Sequence, residues 1–422
     1  MRVLWLSPCM PIIDNCGKLQ QRKGTGGWID SMLSALRIYA PSLEIAVLVP
    51  GIVHQDFLID GIRYITYGIK TPAHGAHVPD SICKRISQVI KAIKPEVVHL
   101  QGTEHFYARC PLETFNGVPV VVSLQGLISE LHIHMSGGLT IPETWHNHLN
   151  LRFFLKGATI FRDQNYWRAK RMPNEIWTLT HHNHFIGRTD FDESVLRCYN
   201  SKAHYYKVNE VLRPCFYSAA RSRNKIRPHS IFCGGAASYP LKGLHWLLRA
   251  VVFLKERYPD ITVRVAASDG LLPNGIFARI KTNAYWSYLR GLIKHLKVED
   301  HIVLLPSLDG DGVAEELSRA EVFVLPSLCE NSSNSLGEAM MMKTPAVACY
   351  TGGVPSVLHN EEEGLLVPPY DPYQLASAIN KCFCSPEKAL CRAEKAKATA
   401  IARHDWARNA NELIGVYGEI LG

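Results

Sequence analysis

Two glutamates separated by seven residues are the feature of this sequence that points most directly to chemistry. Glu330 and Glu338 lie in the stretch LPSLCENSSNSLGEAMMMKTPAVACYTGG, which spans residues 325–353. The pattern predicts that a buried strand ends near Pro326 and that a helix begins at about Ser335. Open α/β folds bind ligands at this edge of the sheet, and the free amides of a helix start attract anions. Carboxylates beside such a start favour a ligand with both phosphates and hydroxyl groups, such as a nucleotide sugar.

Ser335 and Glu338 also fit a purely structural role. Their spacing, S-x-x-E, is that of a capping box, in which the glutamate closes the helix start and meets no ligand. In the alternative, the unpaired amides of Ser335, Leu336 and Gly337 point at a bound anion. The tetrapeptide leaves both interpretations open, and the two carboxylates around it favour the ligand site.

A lysine and two glycines lie near the first strand predicted in the second half. Lys242 stands in the segment PLKGL at a helix start, where taken alone it fits a surface lysine. Gly234 and Gly235 end the strand, and their amides can take part in phosphate binding.

The first half has its own glycine-rich turn, GTGGW, between the first strand and the first helix. Gly26 and Gly27 allow the backbone to approach phosphate or sugar closely. The turn is not a dinucleotide fingerprint, because G-x-G-x-x-G requires glycine where Ile29 stands. A nicotinamide-dependent dehydrogenase is therefore disfavoured.

Polar side chains follow the predicted strands of the first half. Gln125 and His105 each come shortly after a buried strand, so we expect them at the ligand-binding edge. Arg188 follows the last predicted strand of this half. It either meets an anionic acceptor or the donor phosphate, or forms a salt bridge with Asp190 or Asp192.

Two patterns that resemble metal sites are better explained otherwise. Asp309-Gly310-Asp311 matches D-x-D, but it precedes a helix predicted over Val313–Ala320, where aspartates are natural caps. His181 and His182 are adjacent, so their side chains diverge, and no carboxylate has ligand spacing. No metal site is predicted.

Short apolar runs alternate with amphipathic stretches, which indicates βαβ units around parallel sheets. In the first half the predicted strands are Val3–Ser7, Leu43–Val49, Val97–Leu100, Val120–Leu124 and Glu175–Thr180. In the second half they are Ser230–Gly234, Ile261–Ala266, His301–Leu305, Val322–Leu325 and Ala346–Ala348. A Ser-, Arg- and Pro-rich segment at about 214–228 is the predicted linker, and a last helix opens at Asp405.

The composition is that of a globular protein of 422 residues, 47% hydrophobic and 20% charged. Twelve cysteines without zinc spacing favour a reducing cytoplasm, and no run approaches the roughly 20 apolar residues of a spanning helix. The net charge of +8 favours an anionic donor or anionic lipid headgroups, and equally fits a solvated basic surface. No nucleic-acid partner is expected. We expect a cytoplasmic protein, with contact at the inner membrane face restricted to peripheral association.

The second half resembles a known enzyme family. Its E-x7-E stretch resembles that of retaining glycosyltransferases of family 4, and GGVP at 352–355 and EGLLVPP at 363–369 are similar to the family's continuation. The segment PLKGL is similar to the family's lysine–glycine element. One departure is that Ala236 stands after Gly235, where family members often place an arginine. The resemblance spans nearly the whole chain and is looser in the first half.

The resemblance implies the GT-B fold, an α/β architecture of two Rossmann-like domains whose parallel sheets face an interdomain cleft. Residues 1–214 are expected to form the acceptor-side domain and residues 215–403 the nucleotide-sugar-binding domain. Residues 404–422 are expected to form a helix that crosses back to the first domain.

The resemblance also implies roles for single residues. Glu330 faces the donor sugar, and Glu338 binds the ribose hydroxyls. The amides of Ser335 and Leu336 hold the diphosphate, while Lys242 binds it and neutralises charge on the leaving group.

Two positions depart from the family's pattern. Many members carry a histidine where this chain has Gln125, which cannot exchange a proton near neutral pH, and His105 is a candidate to compensate. Arg213 and Arg188 are candidates to replace the missing arginine, together with the amides of the glycines.

The implied activity is the transfer of a sugar, with retention and without a metal ion, from a nucleotide diphosphate-sugar to an acceptor hydroxyl. The acceptor is expected to be a glycan or lipid-linked glycan in polysaccharide biosynthesis, and no cofactor is expected besides the donor substrate. Two alternatives remain open. One is a nucleotide-sugar epimerase or hydrolase on the same architecture, and the other is a catalytically degenerate nucleotide-sugar-binding scaffold.

Overall fold

The structure, a computed structural model, describes residues 1–11, 27–72, 78–148, 159–235, 239–266, 271 and 283–422. The strands are β1 (Arg2–Leu6), β2 (Glu44–Val49), β3 (Asp56–Ile59), β4 (Ile62–Thr66), β5 (Val97–Gln101), β6 (Val120–Ser123), β7 (His184–Gly187), β8 (His204–Lys207), β9 (Ser230–Cys233), β10 (Thr262–Val265), β11 (Ile302–Leu304), β12 (Val322–Leu325), β13 (Ala346–Cys349) and β14 (Leu365–Val367). The α-helices are α1 (Gly27–Tyr39), α2 (Asp80–Ile93), α3 (Ile128–Leu131), α4 (Ile141–His148), α5 (Ile160–Tyr166), α6 (Met172–His181), α7 (Asp190–Tyr199), α8 (Cys215–Ser218), α9 (Leu244–Leu254), α10 (Ala284–Leu296), α11 (Gly310–Arg319), α12 (Asn334–Met341), α13 (Pro372–Cys384), α14 (Pro386–Arg403) and α15 (Trp406–Leu421).

The chain divides into two compact units. Unit 1 comprises Met1–Ser129, Tyr166–Val211 and His404–Gly422, and unit 2 comprises Glu130–Asn165 and Leu212–Arg403. Each unit contains one sheet with helices packed against it, so the predicted α/β class with two largely parallel sheets is confirmed.

The sheet of unit 1 has the order β3-β4-β2-β1-β5-β6-β7-β8, and its pairs are parallel except for β3 and β4. The strands β1, β2 and β5 are buried along nearly their whole length. Strands covered on both faces are continuous apolar runs, which explains why the sequence indicated these three.

The C-terminal helix α15 packs within unit 1. The indole Nε1 of Trp5 donates to the hydroxyl of Tyr417 at 3.0 Å, and Nδ1 of His99 lies 2.7 Å from the same hydroxyl. All three side chains are buried. The helix thereby completes the core beneath β1 and β5, and it begins at the predicted cap, Asp405, whose carboxylate accepts from the amide of Arg408.

The sheet of unit 2 has the order β11-β10-β9-β12-β13-β14 and is parallel throughout. Its strands agree with the five predicted ones to within two residues at each end, and β14 is additional. In this sheet β12 lies between β9 and β13, so the carboxyl ends of these strands share one edge.

The segment Glu130–Asn165 belongs to unit 2, although the sequence placed all of residues 1–214 in the first domain. Leu139 and Ile160 are buried in the core of unit 2. The ring nitrogens His245 Nε2 and Trp246 Nε1 both lie 3.0 Å from the carbonyl oxygen of Gly137. These contacts join residues that lie far apart in the sequence, so no local sequence pattern predicts them.

The strand predicted at Glu175–Thr180 is wrong, because these residues lie in the helix α6. A short apolar run fits a buried strand and a buried helix equally well by periodicity. The buried carboxylate of Glu175 accepts from the amides of Ile128 and Ser129 at 2.7 and 2.8 Å. The strand next to β6 in the sheet is instead β7.

Candidate functional site

The candidate site of unit 2 is formed around the loop that connects β12 to α12. The loop spans residues 326–333 and carries Glu330. Ser333 is the N-cap of α12, and its hydroxyl accepts from the amide of Leu336 at 3.4 Å. The helix therefore begins beside the carboxyl edge of the sheet, as the strand–loop–helix pattern predicted.

The capping-box alternative for Ser335 and Glu338 is not observed, because the cap is Ser333, two residues earlier, and the carboxylate of Glu338 accepts from Arg213. The amides predicted to be unpaired are partly occupied. Gly337 donates to the carbonyl oxygen of Ser333 at 3.1 Å, and Leu336 donates to the cap.

Glu338 is buried and paired with Arg213. The Nε and Nη2 atoms of Arg213 donate to Oε1 of Glu338 at 3.0 and 2.7 Å. Burial raises the pKa of the Glu338 carboxyl, and the positive charge and hydrogen bonds of Arg213 oppose that rise. Arg213, a candidate from the sequence to replace the missing phosphate-binding arginine, is thus engaged by a carboxylate.

Lys242 and Glu330 form a second ion pair, with Nζ 2.6 Å from Oε1. The lysine side chain is 34% exposed and the glutamate 13% exposed, so solvent reaches this pair more readily than Glu338. The structure thereby brings together two residues that lie far apart in the sequence. An ammonium and a carboxylate side by side can bind a phosphate oxygen and a hydroxyl group of one ligand.

Two glycines allow this pair to form. Gly243 follows Lys242 with φ +73°, and a Cβ there would lie 1.9 Å from the carbonyl oxygen of Pro326. Gly352 has φ +48°, and a Cβ there would lie 2.1 Å from the carbonyl oxygen of Glu330. Any side chain at either position would push the loop at 326–333 away from its neighbours.

The other glycines predicted to bind phosphate are placed as follows. Gly234 follows β9, and Gly235 has φ +68°, in the left-handed region that favours glycine. In unit 1, Gly27 is the first residue of α1, and Gly26 lies outside the described residues.

Unit 1 contains a cavity of about 30 Å³ at the carboxyl ends of its central strands. That volume is enough for about two water molecules or a hydroxyl-bearing group. Two of its lining atoms, Gln101 Nε2 and Asn209 Oδ1, are buried and have no hydrogen-bond partner among the residues that the structure describes. The lining side chains are Trp5, Trp28, Met32, His99, Gln101, Ser123, Gln125, Ile186, Arg188, Val208, Asn209, Glu210 and Leu413.

Gln101 and Asn209 were not selected from the sequence. A signal existed for Gln101, because it precedes Gly102 at a strand end just as Gln125 precedes Gly126. Asn209 has no comparable signal.

The predicted residues Gln125 and Arg188 both line this cavity. Nη1 of Arg188 lies 2.9 Å from Oε1 of Glu210, and Nη2 donates to the carbonyl oxygen of Leu124 at 2.8 Å. The guanidinium therefore pairs with Glu210, and Asp192 accepts from the backbone amide of Arg188 instead of its side chain.

His105 does not line the cavity with Gln125. Its Nε2 lies 3.6 Å from Oε1 of Glu104, which also accepts from Arg171 at 2.7 Å. Burial lowers the pKa of His105, while the charge of Glu104 opposes that change. This histidine is thus held in a buried polar cluster of unit 1.

The two patterns that resembled metal sites have structural roles. The carboxylate of Asp309 accepts from the amide of Gly312 at 2.9 Å and caps α11, as predicted. His182 is buried, with Nε2 3.1 Å from the carbonyl oxygen of Ala108. Over the described ranges, no cluster of three or more His, Cys, Asp or Glu side chains could hold a metal ion. None of the described helices is both long and apolar enough to cross a membrane.

Comparison with known proteins relates the chain to glycosyltransferases. Residues 227–384 match the family described as glycosyl transferases group 1. The D-inositol 3-phosphate glycosyltransferase of Corynebacterium urealyticum is 30% identical over 177 residues, which cover 42% of this chain and 40% of that protein. The MMP alpha-(1->4)-mannosyltransferase of Mycolicibacterium hassiacum is 30% identical over 199 residues, covering 47% of this chain and 43% of that protein. The chain thus matches less than half the length of these curated relatives.

Solved structures extend the likeness to the whole chain. The sucrose-phosphate synthase of Thermosynechococcus elongatus has a TM-score of 0.69 at 16% identity, covering 99% of this chain and 98% of that chain. HepE of Anabaena, in complex with UDP, has a TM-score of 0.64 at 15% identity, covering 99% of this chain and 100% of that chain. Residues 227–384 thus match the glycosyl transferases group 1 family, and the chain as a whole has the GT-B fold of these solved structures.

Proposed function

We propose that the protein is a retaining glycosyltransferase that moves a sugar from a nucleoside diphosphate-sugar to an acceptor hydroxyl without a metal ion. The observation that carries the proposal is the ion pair between Lys242 and Glu330, 2.6 Å apart. The pair lies in the part of the chain that matches a glycosyltransferase family. A sugar nucleotide suits both partners, because its phosphates bind the ammonium and its hydroxyl groups donate to the carboxylate.

The donor is held by unit 2 in this proposal. Glu330 accepts from hydroxyl groups of the donor sugar, and Lys242 binds the diphosphate. The amides of Ser335 and Leu336 donate hydrogen bonds to the same phosphates. The bond from the Leu336 amide to the Ser333 hydroxyl is long, at 3.4 Å, so a phosphate oxygen can replace that hydroxyl as the acceptor. HepE was solved with UDP-glucose, which supports a donor of this class.

The reaction follows from this arrangement. The bond between the anomeric carbon and the diphosphate oxygen breaks, and the acceptor oxygen bonds to the same face of that carbon. The departing diphosphate takes the proton of the acceptor hydroxyl, while Lys242 neutralises the charge that develops on it. Catalysis is then mainly positioning and charge stabilisation.

The acceptor side is proposed to lie in unit 1. The cavity lined by Gln101, Gln125 and Asn209 offers neutral amides to a hydroxyl-bearing group. We propose a lipid-linked glycan at the cytoplasmic membrane face as the acceptor, supported by the net charge of +8, which favours anionic headgroups. Equal activity on free sugars and on lipid-linked glycans would contradict this part.

The donor site is tested by calorimetric titration with UDP, GDP and ADP, first without metal and then with magnesium. The tightest ligand is titrated into Glu338→Ala and into a control, Glu362→Ala, which removes an exposed glutamate of the same unit. We expect metal-independent binding of one nucleotide, about 10- to 100-fold weaker in Glu338→Ala and unchanged in the control.

The reaction is tested by the anomeric configuration of the product in NMR spectra. Retention supports the proposal, and inversion contradicts it. Donor turnover without an acceptor would favour an epimerase or hydrolase, and the absence of any nucleotide binding would favour a degenerate scaffold.

A further inference from the structure

We infer that Arg213 is a positioning residue for ribose recognition: it occupies one oxygen of Glu338, so that the other is left to accept from the nucleotide's hydroxyl pair. The inference rests on the proposed function, because that function assigns the ribose to Glu338. Neither the family match nor the ion pair of Lys242 and Glu330 by itself assigns this role to Arg213.

The geometry separates the two carboxylate oxygens. Both hydrogen bonds from Arg213, at 3.0 and 2.7 Å, end on Oε1 of Glu338. A carboxylate has about four acceptor positions, so Oε2 keeps the capacity to accept from two hydroxyl groups. The side-chain direction is fixed as well, because the guanidinium lies 5.1 Å from the ring centroid of the buried Phe216.

Charge gives Arg213 a second effect on Glu338. A buried carboxyl favours its neutral form, and a protonated carboxyl is a poorer acceptor for hydroxyl groups. Arg213 is the cation that opposes this change. The other groups near α12 are differently engaged: Arg403, at the end of α14, donates to Ser332 Oγ at 3.3 Å, and Cys215 in α8 is a thiol whose pKa burial raises to about 11.

The experiment measures how strongly the site prefers a ribonucleotide over a nucleotide without the hydroxyl pair. The tightest binder among UDP, GDP and ADP is compared with its 2′,3′-dideoxy analogue by calorimetry, at about pH 6 and about pH 8. The proteins are the wild type, Arg213→Gln, Glu338→Gln and the double variant. We expect the preference for the ribonucleotide over its dideoxy analogue to be about 10-fold smaller in Arg213→Gln than in the wild type. The loss of preference should be larger at the lower pH. The affinity for the dideoxy analogue should stay within about 2-fold.

The double variant separates positioning from direct contact. If Arg213 acts through Glu338, then Arg213→Gln causes no further loss of preference in the Glu338→Gln background. Should Arg213→Gln fail to fold, as judged by thermal unfolding, Arg213→Lys keeps the charge without the planar fork, and about a 3-fold loss of preference is expected.

An equal loss of affinity for both nucleotides would overturn the inference, because Arg213 would then contact the phosphates. An unchanged preference would overturn it too. If the wild type binds no nucleotide, the proposed function fails and this inference fails with it. The two outcomes above contradict only the inference, because they require a wild type that binds nucleotide.

Discussion

The two units carry polar residues at the same kind of place, the carboxyl edge of a sheet, but they use charge differently. In unit 2 the lysine of the Lys242–Glu330 ion pair is about one-third exposed, so a ligand can reach the ammonium and displace the carboxylate from it. In unit 1 the pair of Arg188 and Glu210 is buried on both sides, at 5% and 8% exposure.

Two atoms that line the cavity of unit 1, Gln101 Nε2 and Asn209 Oδ1, are neutral amide atoms without a partner among the described residues. Leaving a buried amide without a partner costs free energy, which a bound hydroxyl group can recover. Unit 2 therefore presents a partly exposed charged pair, whereas unit 1 presents neutral amides beside a buried charged pair.

The largest effect is expected for Lys242→Ala. Removal of the ammonium should lower turnover by about 100- to 1000-fold, because charge on the leaving diphosphate is no longer neutralised. The measurement is the initial rate of transfer at saturating donor. Lys381→Ala, which removes an exposed lysine of the same unit, is the control and should retain wild-type turnover. Wild-type turnover in Lys242→Ala would remove the charged site from the mechanism.

Acid pH should destabilise both units, since each holds a buried neutral histidine. Burial lowers the pKa of His99 in unit 1 and of His245 in unit 2 to about 3 in each case. Below about pH 6.5 the unfolded chain binds a proton that the folded chain does not, so the free energy of unfolding falls as the pH falls towards 3. Each histidine should cost about 2 kcal/mol between pH 6.5 and pH 5.

Denaturant unfolding at about pH 7 and pH 5 tests this expectation. His99→Gln and His245→Gln should each show a smaller loss on acidification than the wild type. His295→Gln, at an exposed position, is the control. The same loss in all four proteins would show that other groups govern acid sensitivity.

A smaller effect is expected when the neutral amides of unit 1 are removed. Gln101→Ala and Asn209→Ala should each raise the KM for the acceptor about 10-fold, through loss of one hydrogen bond. Nucleotide affinity should not change, because the donor is assigned to unit 2. Gln55→Ala, at an exposed position of unit 1, is the control. Weaker nucleotide binding in either variant would erase the contrast between the two regions.

The smallest effect is expected for two tyrosine hydroxyls that contact the buried histidines. Tyr417→Phe removes the contacts to Trp5 and His99, and should lower the free energy of unfolding by about 1–2 kcal/mol. Tyr285→Phe removes the contact to His245, 2.9 Å away, and should cost about 1 kcal/mol. Thermal or denaturant unfolding measures both. A larger loss of stability in Tyr285→Phe than in Tyr417→Phe would contradict this expectation, because the Tyr417 hydroxyl makes two contacts and the Tyr285 hydroxyl makes one with His245.

The sequence indicated unit 2 better than unit 1, and the reason lies in burial. The strands of unit 2 that flank the site, such as Val322–Leu325, are short continuous apolar runs and were predicted closely. In unit 1 the strand β8, His204–Lys207, is polar and half exposed, so no apolar run marks it. The helix at Glu175 was predicted as a strand, because its short apolar run fits a buried strand as well as a buried helix.

The strand–loop–helix order around Glu330 could be predicted from the sequence, since it depends on residues near each other in the chain. The ion-pair partners of the site residues are fixed by the tertiary structure. Lys242 meets Glu330 across 88 residues, and Arg213 meets Glu338 across 125. The order of strands in a sheet brings such residues together, and no spacing in the sequence encodes that order. The same cause places Glu130–Asn165 in unit 2, whereas the position of α15 in unit 1 was expected from the family resemblance.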